Sequence, residues 1–534
     1  MVPLYILILS PIIFGALLFI ISGKYSRQAA MVFQLLLIFA AIHNFIRLKG
    51  SQTSTYMEYL GGWSNTIGIS LKLDLIAAVL VILTTVLFMS MLIFDIKSTY
   101  VNRLFLMLFL ILEGLIIGIF VSHDFFNVFV LYEVSTVVVS ILIMFQKDKQ
   151  SIYDGMIYLL TNLVAMVFFL FGTAILYRML GVLDFALVQE RMYLLQDLSS
   201  LILPYAFIIT ALSLKTALMP LFSWLPRAHA TPSAPSIISG ILSGLFVKNG
   251  VYLFLRIQKI FEPFIDVIDL FLLLGFLTAV VGFMLAISQK DIKLILAYST
   301  VSQIGFIVMG LNMNNEQAFW GAVYHIINHA IFKSTLFLTA GIISEQYGTR
   351  NIYEIRGALK SMPTVSVAAI LAILGITGAP FFNGSMSKYW IAYGAKDSLL
   401  EFGIIFVNIG TITYFLKYSK IFFGQTSKAC STVLTVQKLT VLSMGIMCLV
   451  GGIFAKQFIG FLFNQYLLVD PLSYMEKTLI FMFCLIVGVF IYFGVIEKYK
   501  LLNKVKSFEL SFNDICLMIL MFFSFIFIYL KIKY

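Results

Sequence analysis

Ala211-Leu-Ser-Leu-Lys-Thr-Ala-Leu-Met-Pro-Leu-Phe-Ser-Trp-Leu-Pro226 sets a lysine, Lys215, inside an apolar run and follows it with Pro220. Proline removes a backbone donor and crowds the carbonyl four residues back, so a helix entering this stretch breaks there. An ammonium at mid-bilayer costs roughly 2.5 to 3.5 kcal/mol even on lenient scales, so such a lysine faces protein or water and serves an ion path. The stretch predicts a broken membrane helix that carries a functional cation.

The surrounding chain has 534 residues, 61% of them hydrophobic and 11% charged, with a mean hydropathy of +1.01. A soluble core has no use for that much apolar surface. About sixteen apolar segments, from 3–22 to 512–530, each approach the roughly 20 helical residues needed to cross a bilayer core of about 30 Å. The fold class is an all-α polytopic membrane protein with about 14–16 transmembrane helices. The first segment ends at Gly23-Lys24-Tyr25-Ser26-Arg27 without the basic start and cleavage site of a signal peptide, so it reads as a transmembrane helix.

The longest polar connections, 47–70, 178–200 and 343–363, are too short for a nucleotide-binding fold. Cys430, Cys448, Cys484 and Cys516 stand singly, which reads as core thiols rather than metal or iron–sulfur ligation. There is no Gly-x-Gly-x-x-Gly after a strand and no Walker loop, so no cofactor is expected. The 52 phenylalanines and 23 methionines read as packing and lipid-facing residues.

Net charge is +11, and its placement matters more than its size. Connections after odd-numbered spans hold most of the basic residues, among them Lys24, Arg27, Lys97, Arg103, Lys147, Lys149, Lys290, Lys293, Arg350, Arg356, Lys360, Lys417, Lys420, Lys428, Lys438, Lys498, Lys500, Lys504 and Lys506. The positive-inside rule puts these connections in the cytoplasm and both termini outside. Read as topology determinants, the charges call for no nucleic-acid partner.

Ionisable residues within the spans form a smaller set. Glu133 lies in Val128-Phe-Val-Leu-Tyr-Glu-Val-Ser135 with no local counter-charge, and Lys215 is its natural partner from another helix. Lys248 lies in Leu245-Phe-Val-Lys-Asn-Gly-Val-Tyr252. His325, His329 and Lys333 follow in Tyr324-His-Ile-Ile-Asn-His-Ala-Ile-Phe-Lys333, where steps of four residues keep all three near one helical face. Zinc binding, a structural hydrogen-bonding role and a proton relay are all open to this row. The metal reading lacks an HExxH motif and a nearby third ligand, while histidine titration near neutrality suits proton transfer. Glu113 reads equally as a hydrogen-bonded packing residue or as part of a transport path, and Asp74 as interfacial.

A second break stands at Gly375-Ile-Thr-Gly-Ala-Pro-Phe-Phe-Asn-Gly-Ser-Met-Ser-Lys388, five spans after the first and again beside a lysine. Interrupted helices at corresponding positions of two halves point to an inverted repeat around a midplane ion site. The expected organisation is N-terminal helices over 1–101, a first five-helix repeat over 102–257, a second over 258–425, and C-terminal helices over 426–534.

Asp124-Phe-Phe-Asn-Val-Phe-Val-Leu-Tyr-Glu133, the Lys215 to Pro226 stretch, Gln289-Lys-Asp-Ile-Lys-Leu-Ile-Leu-Ala-Tyr-Ser299 and the His325 to Lys333 row together resemble the proton-translocating antiporter-type subunits. That family serves respiratory complex I, membrane-bound hydrogenases and Mrp-type cation/proton antiporters. The resemblance spans roughly residues 70 to 425, and its Asp-x-Phe-Asn-x-Phe-Val-x-x-Glu run is most similar to the D-type subunit of the Mrp antiporters.

The resemblance implies roles for seven residues. Glu133 is the helix-5 carboxylate, Lys215 its partner in broken helix 7 and Lys248 the helix-8 linker. His325, His329 and Lys333 are the helix-11 relay, and Lys388 is the terminal lysine of broken helix 12. One departure stands out. Many relatives carry an acidic or small residue after Trp-Leu-Pro, whereas this chain has Arg227, then Ala228 and His229, which alters the electrostatics of the inlet.

Burial disfavours both charges of a Glu133–Lys215 pair while proximity favours both, so moving Glu133 away is expected to free a proton toward Lys248 and the histidines. Two functions fit: the proton-translocating, D-type member of a multisubunit monovalent cation (Na+)/H+ antiporter, or the proton-pumping membrane subunit of an NADH:quinone oxidoreductase or hydrogenase whose redox centres lie in other chains. The expected partners are other membrane subunits, protons, monovalent cations and the bilayer of the cell membrane. A purely structural subunit is disfavoured by the intramembrane charges, and the two helices after about 470 exceed a fourteen-span core.

Overall fold

The computed structural model describes residues 1–21, 25–231, 234–396, 398–426, 432–498 and 510–534. Lys24, Lys428, Lys500, Lys504, Lys506 and Cys430, weighed above, lie outside the described residues.

Helices α1 (Leu4–Ile20) and α2 (Ser26–Lys49) precede an antiparallel hairpin in which β1 (Thr55–Tyr59) pairs with β2 (Ser70–Asp74), Thr55 opposite Asp74 and Tyr59 opposite Ser70. The hairpin occupies a connection with no helical pattern. Then follow α3 (Leu75–Phe94), α4 (Arg103–Val121), α5 (Phe125–Ile143), α6 (Lys149–Leu180), the short α7 (Phe185–Met192) and α8 (Ile202–Lys215). Side chains of Asp74, Asn102, Asp124 and Asp148 accept backbone N–H bonds at the starts of α3 to α6 and satisfy donors that the helix leaves orphaned.

After α8 the chain breaks, then resumes as α9 (Trp224–Ala230), α10 (Ser236–Ile241) and α11 (Val247–Phe261). The long α12 (Ile268–Ser288), α13 (Ile292–Leu311) and α14 (Glu316–Tyr347) come next. A short α15 (Ala358–Ser361) leads to α16 (Pro363–Thr377), and the second break separates it from α17 (Asn383–Gly394). The chain closes with α18 (Leu399–Ser419), α19 (Thr435–Ile453), α20 (Ala455–Phe463), α21 (Pro471–Val489) and α22 (Phe512–Lys533). Among the described residues 14 helical segments are long and apolar enough to cross a membrane, with α1 and α16 as shorter apolar helices. The chain is a multi-pass, nearly all-helical membrane protein.

Helix α14 is central and buried along nearly its whole length, packed by α10, α13, α16, α17 and α19. α21 and α22 lie at the periphery, α21 on α18 and α22 on α8 and α6. Lys533 pairs with Asp266 at 3.1 Å, Asp266 N–H donates to Tyr534 Oη at 2.6 Å, and Arg227 donates to the Leu510 carbonyl at 3.0 Å, so both ends of α22 are tied to this half.

Two lysines read as connection charges are in fact interior. Lys417 Nζ donates to the carbonyls of Ile287, at 2.7 Å, and Gln289, capping the end of α12. Lys293 is buried and reaches the Ala234 carbonyl at 3.4 Å. Their place near span ends hid them, because a long side chain at a helix terminus turns inward as readily as outward. Glu113 is buried and accepts a hydrogen bond from Gln34, and Asp74 pairs with Arg256 besides capping α3.

Candidate functional site

Each break stands beside a lysine. A helix C-terminus carries partial negative charge on its unpaired carbonyls, which favours a cation there. Lys215 is the last residue of α8, and past the break Trp224 Nε1 donates back to the Leu214 carbonyl at 2.7 Å, which satisfies one of the carbonyls that the helix end leaves free. Lys388 belongs to α17, yet its ammonium sits on the last carbonyls of α16, Ile376 at 2.8 Å and Thr377 at 3.2 Å.

Neutral polar side chains complete both lysine sites. Lys215 Nζ donates to Thr136 Oγ1 of α5 and Asn162 Oδ1 of α6, both at 3.0 Å, and lies 5.1 Å from the centre of the Tyr132 ring. Lys388 Nζ donates to Asn408 Oδ1 of α18 at 2.8 Å. Glu133 stands one turn before Thr136, half-buried, within electrostatic reach of Lys215 but outside ion-pair contact with it. The two residues named as partners from the sequence thus lie close enough to interact electrostatically without touching, while Thr136 and Asn162 accept directly from the ammonium.

Between the breaks runs the row on α14. A π-helical turn, Leu242–Phe246, widens the helix just ahead of Lys248 and leaves the Ser243 carbonyl for Lys248 Nζ. The same Nζ contacts His329 Nδ1 at 2.5 Å. His329 and His325 follow with ring centres 6.4 Å apart, and His325 bonds Ser387 Oγ at 2.8 Å and Gln303 Oε1 at 3.0 Å. Ser387 precedes Lys388 in the chain, so the row ends beside the second break. Lys333 Nζ donates to the Leu296 carbonyl at 2.9 Å and to Ser299 Oγ. The histidine nitrogens are therefore engaged by hydroxyl, amide and ammonium groups, except His329 Nε2, which has no partner among the described residues.

Cavities flank the row. One of about 960 Å³ opens among the connections richest in basic residues and is lined by Asp95, Lys97, Lys293, Glu345 and Arg350. There, burial pushes the Asp95 carboxyl up to about 7, with Glu345 nearby adding to the rise and the Ser98 hydroxyl opposing it. Another, of about 70 Å³, touches Lys388, Gln303 and Asn408. On α9, Arg227 is paired with Asp154 at 3.8 Å, and Thr231 Oγ1 donates to the same carboxylate at 3.0 Å.

Asn162, Thr136, Gln303, Ser387 and Asn408 are the site residues that sequence reasoning missed. Their signal is a buried amide or hydroxyl in an apolar span, common enough to be informative only once its partner is known.

Both breaks and the row between them fall inside the part of the chain that similarity covers. Residues 122–413 match the family described as NADH:quinone oxidoreductase/Mrp antiporter, TM. The chain belongs to this family. It is 29% identical over 395 residues, 73% of this chain and 79% of the other, to the D-type subunit of the Na(+)/H(+) antiporter of Alkalihalophilus pseudofirmus. It is 32% identical over 349 residues, 64% of this chain and 69% of the other, to the N-type subunit of the NADH-quinone oxidoreductase of Desulforudis audaxviator. In three dimensions it resembles a chain of the Mrp complex from Dietzia sp. DQ12-45-1b with a TM-score of 0.79 at 20% identity, covering 89% of this chain and 99% of that one.

Proposed function

We propose that this chain is the proton-translocating, D-type component of a multisubunit Na+/H+ antiporter in the cell membrane, with both termini outside. The observation that carries the reading is the direct contact of Lys248 with His329, in a row that lies between the two breaks and reaches the residue before Lys388 through the His325–Ser387 bond. Protons pass between the Asp95 cavity and the Lys388 end of the row by way of Lys248, His329 and His325. Glu133 acts on Lys215 through the field, across the Thr136 and Asn162 contacts. Residues 102–257 and 258–425 are the two inverted units, each with one break. Partner membrane subunits supply the remainder of the complex.

The test is Lys215→Ala in the assembled complex, followed in everted membrane vesicles by the collapse of a pre-formed pH gradient on sodium addition. Loss of that response with normal assembly is expected, and an unchanged response overturns the reading. The 32% identity to an NADH-quinone oxidoreductase component favours a second reading, a proton pump of a redox complex. Mass spectrometry and iron analysis of the gently purified native complex separate the two: iron–sulfur partners establish the second, small hydrophobic partners without iron the first.

A further inference from the structure

Helix α21 plays no part in the pathway above, yet it forms one wall of the cavity that touches Lys388. On one side lie Lys388, Gln303 and Asn408, and on the other Lys477, Phe481 and Cys484 of α21. At about 70 Å³ the cavity is several times the volume that one water molecule requires, about 10–15 Å³, and these polar side chains give water its partners.

α18 and α21 run parallel in a constant register. Glu401 forms an ion pair with Lys477, Asn408 bonds Cys484, and Gly488 packs closely on Ile412, its position 3.1 Å from an Ile412 methyl if a Cβ were added. Seven residues separate the ion pair from the Asn408–Cys484 level, so the pair sits about 10 Å nearer the membrane surface than the amide that holds Lys388. Glu401 lies in the first turn of α18, on the face opposite the basic connections.

The two ends of α21 are held differently. Its inner end runs into π-helical turns, Phe490–Glu497, anchored by the Glu497–Lys420 pair at 2.5 Å. Its outer end rests on polar contacts with the second break: Tyr474 Oη accepts from Phe381 N–H at 3.3 Å and bonds Ser385 Oγ at 3.0 Å, and Tyr389 Oη accepts from Asp470 N–H at 3.3 Å. Along its length only Cys484 and Gly488 are buried. A helix with few buried residues, whose outer end is held by these polar contacts and the Glu401–Lys477 pair, moves by exchanging polar contacts rather than by exposing a core.

We propose that α21 is the outer gate of the Lys388 cavity and that the Glu401–Lys477 ion pair is its latch. This rests on the proton-pathway reading of Lys388. With the latch closed the helix separates the cavity from the outer face. With it open the water-filled mouth extends to Lys388, and the contacts of Tyr474 couple the gate to movements of the break. The extra C-terminal helix thereby gains a role in setting when protons exchange with the outside.

The gate is tested in the assembled complex in right-side-out membranes, using a small membrane-impermeant methanethiosulfonate cation and mass spectrometry of Cys484. Cys484 is fully buried, so slow modification is expected in the unaltered chain. Glu401→Gln and Lys477→Gln are each expected to raise the rate at least about tenfold, the effect of about 1.4 kcal/mol of lost closure. The exchange Glu401→Lys with Lys477→Glu is expected to restore protection. Unchanged labelling in the single variants, or no restoration by the exchange, overturns the proposal. Should a single variant fail to assemble, Glu401→Cys with Lys477→Cys joined by a short bifunctional thiol reagent takes its place. A gate locked this way stops transport, whereas native transport by the locked complex refutes gating. The labelling needs no turnover, so it is independent of the Lys215→Ala result that judges the pathway itself.

Discussion

Gly250→Ala is the sharpest perturbation of the first break. Gly250 lies on α11 two residues past Lys248, and a Cβ built there falls 2.7 Å from the carbonyl carbon and oxygen of Lys215 and 3.0 Å from Thr216 N. Ordinary contact begins near 3.4 Å, so the two backbones must part by about 0.7 Å. Both atoms belong to main chain and have no rotamer by which to yield, and overpacking of this kind costs about 1–3 kcal/mol. The Lys215 ammonium bonds at 3.0 Å to Thr136 and Asn162 then stretch past useful length. A hydrogen bond to a charged group is worth about 1.5–3 kcal/mol, so losing one lowers turnover about 10- to 150-fold.

The assay is gradient-coupled proton movement in everted vesicles, normalised to the amount of assembled complex. Gly50→Ala is the control, since its Cβ meets nothing nearer than 3.6 Å, and it is expected to transport normally. Native turnover in assembled Gly250→Ala complex would refute the claim that backbone contact between α8 and α11 positions Lys215.

Asp95→Asn tests the inner cavity. Because the folded carboxyl is raised from 3.8 to about 7, its burial penalty is absent below pH 4, grows up to about pH 7 and is constant above, so the variant gains more thermal stability at pH 8 than at pH 5. The same variant is expected to flatten any step near pH 7 in the dependence of transport on inner pH, where Asp95 charges beside Glu345 and faces Lys97, Lys293 and Arg350. Lys417→Met leaves the Ile287 and Gln289 carbonyls without their donor and is expected to destabilise the chain by about 1–3 kcal/mol in a thermal melt, while the assembled fraction still transports. Lys533→Ala removes a partly exposed pair with Asp266 and is expected to shift stability by less than about 1 kcal/mol.

The residues legible in the sequence are those whose charge is out of place. Lys215, Lys248, His325, His329 and Lys333 stand in apolar runs where no surface role explains them, and the structure brings Lys248 to His329 across helices 81 residues apart. Both breaks were legible too, because Pro220, Gly378 and Pro380 act locally on the backbone. What stayed hidden depends on tertiary placement. Asn162 and Asn408 hold the two break lysines, yet each reads alone as an ordinary polar residue in a membrane helix. The π-helical turn before Lys248 carries no proline to announce it. The distance between Glu133 and Lys215 was equally out of reach, since charge complementarity names partners without saying whether they touch.

The row on α14 also has an electrical meaning. Lys333, His329 and His325 climb one helix, and the eight residues between the first and the last span about 12 Å along its axis. Against a hydrocarbon core of about 30 Å, that is about two-fifths of the membrane's thickness. A unit charge crossing the whole core feels about 2.3 kcal/mol per 100 mV, so a proton stepping from Lys333 to His325 feels about 0.9. If the row carries protons as proposed, membrane voltage biases which of the three side chains holds the proton, and the interior of this single chain acts as a voltage divider between its two faces.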